Sequence, residues 1–78
     1  MDDKNRYVVI ETGGSIGENA QRGHNRIAAG PFDNKEECKK RTKEYSSKYG
    51  GGYYDYHYST KTVKWARKNC RSTELEGI

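Results

Sequence analysis

Residues 53–68, YYDYHYSTKTVKWARK, decide the fold of this chain and hold five of its nine aromatic residues, so part of the core must come from them. Side chains alternate between the two faces of a strand, and this segment alternates on both sides of Thr60-Lys61. The pattern therefore predicts two strands joined by a two-residue turn. In that hairpin Tyr56 lies opposite Trp65, an aromatic pair of the kind that stabilises sheets.

The main alternative for the second half of this segment is a helix. Val63, Ala66 and Cys70 recur at helical spacing within residues 62–70. The strand is the favoured prediction, and the helix stays open at this point.

Upstream, the sequence predicts two more strands and a long loop. Residues 6–12, RYVVIET, are rich in β-branched side chains. Val8 and Ile10 face one side and Val9 faces the other, so the strand is expected to be central or lightly covered on its second face. A short second strand covers residues 26–29 and is expected to end at Gly30-Pro31. Residues 13–24 contain four glycines and little periodicity, which is typical of a loop that carries function or is mobile.

One helix is predicted over residues 34–49. Asp33 or Asn34 supplies its N-cap, and Gly50 ends it. The candidate buried residues of the helix recur at spacings of four, three and four: Cys38, Thr42, Tyr45 and Tyr49.

These elements predict an α+β fold in the order β-β-α-β-β, an antiparallel sheet with one helix packed on one face. Residues 1–78 are expected to form a single small domain. Its folded core covers about residues 6–70, and residues 72–78 are too polar to predict as more than a loose tail.

Composition limits the function. Fifteen Lys and Arg against eleven Asp and Glu give a net charge of +4, which favours a polyanionic partner. No segment has the length and apolar content of a membrane span, and the polar start does not suit a signal peptide, so we expect no membrane association and a cytoplasmic location. Cys38 and Cys70 are predicted to be free thiols, because two cysteines do not make the framework of a small secreted domain.

The candidate binding residues combine cations with exposed aromatic rings, the combination that binds single-stranded nucleic acid. They belong to the least neutralised basic region of the chain and are Tyr53, His57, Lys61, Lys64, Arg67, Lys68 and Arg71. Arg22 and His24 of the long loop are predicted to add contacts. The run 39–43, KKRTK, has acidic residues on both sides and is interpreted as a solvated helix face.

No pattern predicts catalysis, a cofactor or a metal. The glycine-rich segment 13–17, GGSIG, lacks the Lys-Ser/Thr ending of a phosphate-binding P-loop. Cys38, Cys70, His24 and His57 lack the short spacings of zinc modules, and no nucleophile accompanies His57. We therefore expect a protein that is not an enzyme and that holds no cofactor or metal.

Residues 27–32, IAAGPF, followed by a charged helix, resemble the strand, Gly-Pro-Phe turn and helix of the peptidoglycan-binding SPOR domains. The likeness covers about a third of the chain, and the second helix of the SPOR order is not predicted here. No glycan-binding residue is carried over from that family.

Two functions are expected. The first is non-catalytic binding of DNA or RNA through the Tyr/Lys/Arg-rich hairpin. The second is a protein-interaction module, such as an inhibitor of the phage or mobile-element type, that blocks the surface of a protein that handles nucleic acid. In either case the protein is expected to act as a monomer or a weak homodimer.

Overall fold

A computed structural model describes residues 3–13, 24–51 and 56–76 of the chain. The elements are β1 (Tyr7–Gly13), β2 (His24–Phe32), α1 (Lys35–Tyr49), β3 (His57–Thr62) and α2 (Val63–Asn69), followed by a 3-10 turn at Ser72–Leu75. The α+β class is confirmed. The order is β-β-α-β-α rather than β-β-α-β-β.

The sheet is antiparallel with strand order β2-β1-β3, so β1 is the central strand, as its sequence predicts. Val8, Val9 and Ile10 of β1 are fully buried. Because neighbouring side chains in a strand point to opposite faces, three consecutive buried residues require cover on both faces of the sheet. That cover comes from α1 on one face and α2 on the other.

Helix α1 covers the face that includes Val9. Its N-cap is Asn34, whose side-chain oxygen accepts hydrogen bonds from the backbone N–H groups of Glu36 and Glu37. Cys38 is the buried residue of this helix. One turn further, Thr42 Oγ1 lies 2.7 Å from Thr60 Oγ1 of β3, which joins the helix to the sheet.

The predicted hairpin at Thr60-Lys61 is wrong, because β3 continues through both residues and pairs with β1. The chain then turns into α2, whose first turn is capped by Thr62 Oγ1 accepting the N–H of Trp65 at 3.1 Å. Helical spacing buries Val63 and Ala66 together against Val8 and Ile10. The helical alternative is therefore the correct one, and Tyr56 and Trp65 are not a cross-strand pair.

Strand β2 is longer than predicted. It runs through Gly30 and Pro31, where a stop was expected, and ends at Phe32. Gly30 has φ +115°, and a Cβ there would lie 3.0 Å from the carbonyl oxygen of Tyr7. The backbone conformation and the close approach to β1 therefore require glycine at this position.

The segment after α2 is ordered where the sequence predicted a loose tail. Within Ser72–Leu75, Glu74 Oε1 accepts the backbone N–H of Ile27 at 3.2 Å, and Leu75 packs against the core. The bond from Ile27 to Glu74 and the packing of Leu75 place this turn beside β2.

Candidate binding surfaces

Three cations lie on one side of α2, and a fourth follows the helix in extended backbone. All four are exposed, and they are Lys64, Arg67, Lys68 and Arg71. We call them the α2 basic face. Lys64, Arg67 and Lys68 are neighbours on the surface of α2, because residues three and four apart share one side of a helix. Arg71 comes two residues after α2, in extended backbone.

One acidic residue of the described chain forms an ion pair with this face. Asp3 Oδ2 accepts from Arg67 Nε at 2.6 Å, and its Oδ1 accepts from Arg6 Nη2 at 2.9 Å. These hydrogen bonds, that from Arg67 first, hold the pKa of the Asp3 carboxyl below its usual value. Arg67 is thus partly neutralised, and Lys64, Lys68 and Arg71 form no salt bridge within the described ranges.

Lys61 is a further cation, located in β3 two residues before α2 begins. It lies near the end of β3, and its Nζ is 5.1 Å from the centre of the Trp65 ring, within the range of a cation–π contact. Trp65 is half-buried and packs against the apolar core. The Trp65 ring therefore packs against the core, and Lys61 lies over it.

The structure brings together five of the predicted binding residues and separates another. Lys61 is followed directly by the α2 basic face, whereas His57 is exposed at the opposite end of β3, across from Thr12. Four residues of strand place its Cα about 13 Å from that of Lys61. Tyr53 and Arg22 lie outside the described residues, and His24 is the first residue of β2, opposite Gly13.

A second basic surface includes lysines of the run 39–43, which the sequence predicts to be a solvated helix face. A groove of about 640 Å³ separates the exposed side of α1 from β3. It is lined by Glu36, Lys39, Lys40, Thr42, Lys43 and Ser46 of α1 and by Tyr58 and Thr60 of β3. We call it the α1–β3 groove. The lysines are exposed, as predicted, but no local pattern indicated that a strand edge lies beside them.

The tyrosines of α1 and β3 pack against each other. The ring centres of Tyr45, Tyr49 and Tyr58 are 5.6–6.5 Å apart, the spacing of tilted aromatic contacts. Tyr58 donates its hydroxyl proton to Glu11 Oε2 at 2.7 Å. Burial, followed by that hydrogen bond, raises the pKa of Tyr58. These rings therefore serve first as packing on the α1 face, although Tyr49 stays 48% exposed.

Both cysteines are free, as predicted, and they lie on opposite faces of the sheet. Cys38 is buried beneath α1, and Cys70 packs against the apolar core beneath α2. Burial raises the pKa of both thiols, and the charge of Glu74 adds to the effect at Cys70. A raised pKa leaves little of the reactive thiolate at neutral pH.

Within residues 3–13, 24–51 and 56–76, no three His, Cys, Asp or Glu side chains are close enough together to hold a metal ion. In the same ranges neither helix has the length and apolar character needed to cross a membrane.

The chain matches no protein-family model, no curated protein and no solved structure. The structure does contain a second helix, α2, which the sequence comparison with the SPOR domains lacked. Without a family match, that resemblance stays limited to one strand, one turn and one helix, and it transfers no functional residue.

Proposed function

We propose that this protein is a small non-catalytic nucleic-acid-binding module that contacts phosphates through the α2 basic face. The observation that carries the proposal is the exposure of Lys64, Arg67 and Lys68 along one side of α2, with Arg71 exposed just after the helix. Phosphate contacts by Lys and Arg supply most of the affinity of non-specific nucleic-acid binding.

The size of this face sets the number of contacts. The seven residues of α2 span about 10 Å at the helical rise of 1.5 Å per residue. One strand of a duplex carries a phosphate every ~3.4 Å along the axis, so the face matches about three phosphates. Three contacts agree with the three cations that form no salt bridge with a described residue, Lys64, Lys68 and Arg71.

Residues near this face extend the proposed surface. Lys61 adds a cation at the start of α2, with its Nζ beside Trp65. Tyr53, His57, Arg22 and His24 remain predicted contacts of the same ligand. A binding site of this size gives modest affinity that depends strongly on salt.

The test compares two triple variants that remove the same charge. K64Q/K68Q/R71Q neutralises the α2 basic face, and K39Q/K40Q/K43Q neutralises the α1–β3 groove. Arg67 is left intact because it holds Asp3. Fluorescence anisotropy with labelled single-stranded DNA, duplex DNA and RNA is measured from 50 to 200 mM salt.

Three phosphate contacts predict a fall in wild-type affinity of roughly 20- to 40-fold over that fourfold rise in salt. K64Q/K68Q/R71Q should lose most of this salt dependence, whereas K39Q/K40Q/K43Q should keep it. Equal losses in the two variants would mean that only net charge matters. No wild-type binding to any of the three ligands at 50 mM salt would refute the proposal.

A protein-interaction module is the second candidate, and the strand edge in the α1–β3 groove favours it. Affinity capture from the native host, with and without nuclease, distinguishes the two. A stoichiometric partner that survives nuclease supports protein binding, and loss of every partner on nuclease treatment supports nucleic-acid binding.

A further inference from the structure

The edge of β3 that faces away from β1 is free at Tyr58 and Thr60 in the described part of the chain. One residue before β3, Tyr56 exchanges two backbone hydrogen bonds with Gly51 on that side. The strand order is β2-β1-β3, so β3 pairs with β1 on one side. Val63 N–H donates to the Arg6 carbonyl at 2.9 Å, which extends the β1–β3 ladder by one residue pair. Hydrogen-bonded and non-hydrogen-bonded pairs alternate in an antiparallel ladder, so Lys61 and Ser59 direct their backbone groups towards β1. The N–H and C=O groups of Tyr58 and Thr60 consequently point outwards.

The opposite edge of the sheet, on β2, is protected. Pro31 has no N–H to offer, and the N–H of Ile27 is already bonded to Glu74 Oε1. Natural sheets commonly block their edges in these ways. The two edges of the sheet therefore differ: the β2 edge is protected, and the β3 edge is open at Tyr58 and Thr60.

The α1–β3 groove runs beside this free edge and is basic. Three lysines and one glutamate line it, and the hydroxyls of Thr42 and Thr60 lie within it. Towards the end of β3, a smaller cavity of about 260 Å³ is lined by two more cations, Lys35 and Lys61. Cations thus flank the outward-pointing backbone of β3 over most of its length.

We propose that the outer edge of β3 binds an extended acidic segment of a partner protein as an added strand. The backbone of that segment pairs with the outward N–H and C=O groups of Tyr58 and Thr60. Carboxylates on its α1 side lie against Lys39, Lys40 and Lys43. The lysines supply charge complementarity, and the backbone pairing supplies the geometry.

The chemistry of the edge favours a peptide over a nucleic-acid strand. The outward groups of Tyr58 and Thr60 alternate between donors and acceptors, and a peptide backbone offers both in return. A phosphate backbone offers acceptors alone and would leave the carbonyl groups of β3 unpaired. A second copy of β3 is also disfavoured, because its sequence HYSTKT has no acidic residue and it would bring a second set of lysines to the same groove.

The probe is a labelled eight-residue peptide that alternates Glu and Val. The control peptide has the same sequence with alternate backbone amides N-methylated, which keeps the charge and removes strand pairing. Wild-type protein should bind the first peptide at least about tenfold more tightly than the second, the equivalent of one or two lost hydrogen bonds. Equal binding of the two peptides would overturn the proposal, since charge alone would then explain it.

Variants place the peptide at the edge. K39Q/K40Q/K43Q should weaken binding by about tenfold or more, and K64Q/K68Q/R71Q should leave it within about threefold. Thr60→Pro removes one outward N–H at an edge position and should also weaken binding. Thr60→Val is its control, because it removes only the hydroxyl that contacts Thr42 and should keep binding. If the α2 variant loses the peptide and the α1 variant keeps it, the edge is not the site.

Hydrogen exchange gives a readout that does not depend on affinity or on the folding of a variant. In the wild-type protein the peptide should slow exchange of the Tyr58 and Thr60 amides, which become paired, while the Ser59 and Lys61 amides are already protected by β1. Unchanged exchange at Tyr58 and Thr60 with saturating peptide would refute strand addition. Protection of these amides by single-stranded DNA instead of peptide would assign the groove to nucleic acid and would equally overturn the proposal.

Discussion

The face of the sheet beneath α2 and the face beneath α1 are filled by different kinds of side chain. Beneath α2, Val8, Ile10, Val63 and Ala66 form a fully buried apolar cluster. Beneath α1, buried apolar contacts are joined by a pair of threonine hydroxyls and by the bond from Tyr58 to Glu11. The stability of the first face comes from buried apolar area. The stability of the second face also depends on hydrogen bonds between specific side chains.

This difference explains how a chain with few aliphatic residues is folded. Aliphatic side chains cover one face of β1, and the longer helix covers the other face with one buried thiol, hydroxyls and tyrosine rings. Removing apolar volume should therefore be most costly beneath α2, whereas removing a single polar atom should be felt beneath α1.

The largest effect is expected for Ile10→Ala. Ile10 is fully buried in the central strand and contacts the α2 cluster, so the cavity should cost about 2–5 kcal/mol of unfolding free energy. A domain of this size has only about 3–5 kcal/mol available, so much of the protein should be unfolded. Urea denaturation followed by circular dichroism measures this. The control Ile10→Val should cost about 0.5–1.5 kcal/mol. If Ile10→Ala costs less than about 0.5 kcal/mol, the result contradicts an apolar core on this face.

Trp65→Ala should have the next largest effect. As one half of a cross-strand core pair, this residue would be expected to cost ~3–5 kcal/mol on truncation. In the structure Trp65 is half-buried on α2, so we expect about 1.5–3 kcal/mol instead. The same denaturation experiment decides between the two values, and Lys61→Gln controls for the cation beside the ring.

Tyr58→Phe tests the α1 face by removing one hydroxyl. That hydroxyl donates to a carboxylate at 2.7 Å, so its loss should cost about 1.5–3 kcal/mol. Tyr45→Phe is the matched control on the same face, since the Tyr45 hydroxyl makes a longer bond of 3.4 Å to the Ala28 carbonyl and should cost less. Equal costs for the two variants would show that the Tyr58–Glu11 bond contributes nothing specific.

The pH dependence of the same pair gives an independent check. The pKa of Tyr58 is raised in the folded protein, so the stabilisation from its neutral hydroxyl is complete below the ordinary tyrosine pKa of about 10. Above that pH the unfolded chain loses its proton first, and the stabilisation declines. The stability advantage of wild type over Tyr58→Phe should therefore shrink as the pH rises past about 10. An advantage that grows there would contradict the raised pKa.

The smallest effect concerns the cysteines, which report on the two faces separately. Cys38 lies beneath α1 and Cys70 beneath α2, so the sheet keeps them apart and reductant should leave the melting temperature unchanged. Half-buried Cys70 should react with a thiol reagent before buried Cys38, which should wait for unfolding. Mass spectrometry of timed labelling measures both. A two-dalton loss in the unreduced protein would refute this arrangement.

Some features of the molecule could be predicted from the sequence because they depend on local pattern. The β-branched run of β1 predicted a strand that is either central or lightly covered on one face, and the candidate caps Asp33 and Asn34 predicted the start of α1 to within one residue. The α+β class was predicted in the same way. Each of these rests on residues close together in the chain, where propensity and spacing decide the outcome.

Only the tertiary structure decided what residues 57–69 form and what lies beside them. Thr60 and Lys61 suit a turn or a strand, and β1 was available to pair with them, so β3 continues and Val63 begins a helix. The same distant pairing placed the edge of β3 beside the lysines of α1, and it put the two cysteines on opposite sides of the sheet. Pairing between strands about fifty residues apart depends on which apolar faces can be buried together, and spacing within a short segment does not contain that information.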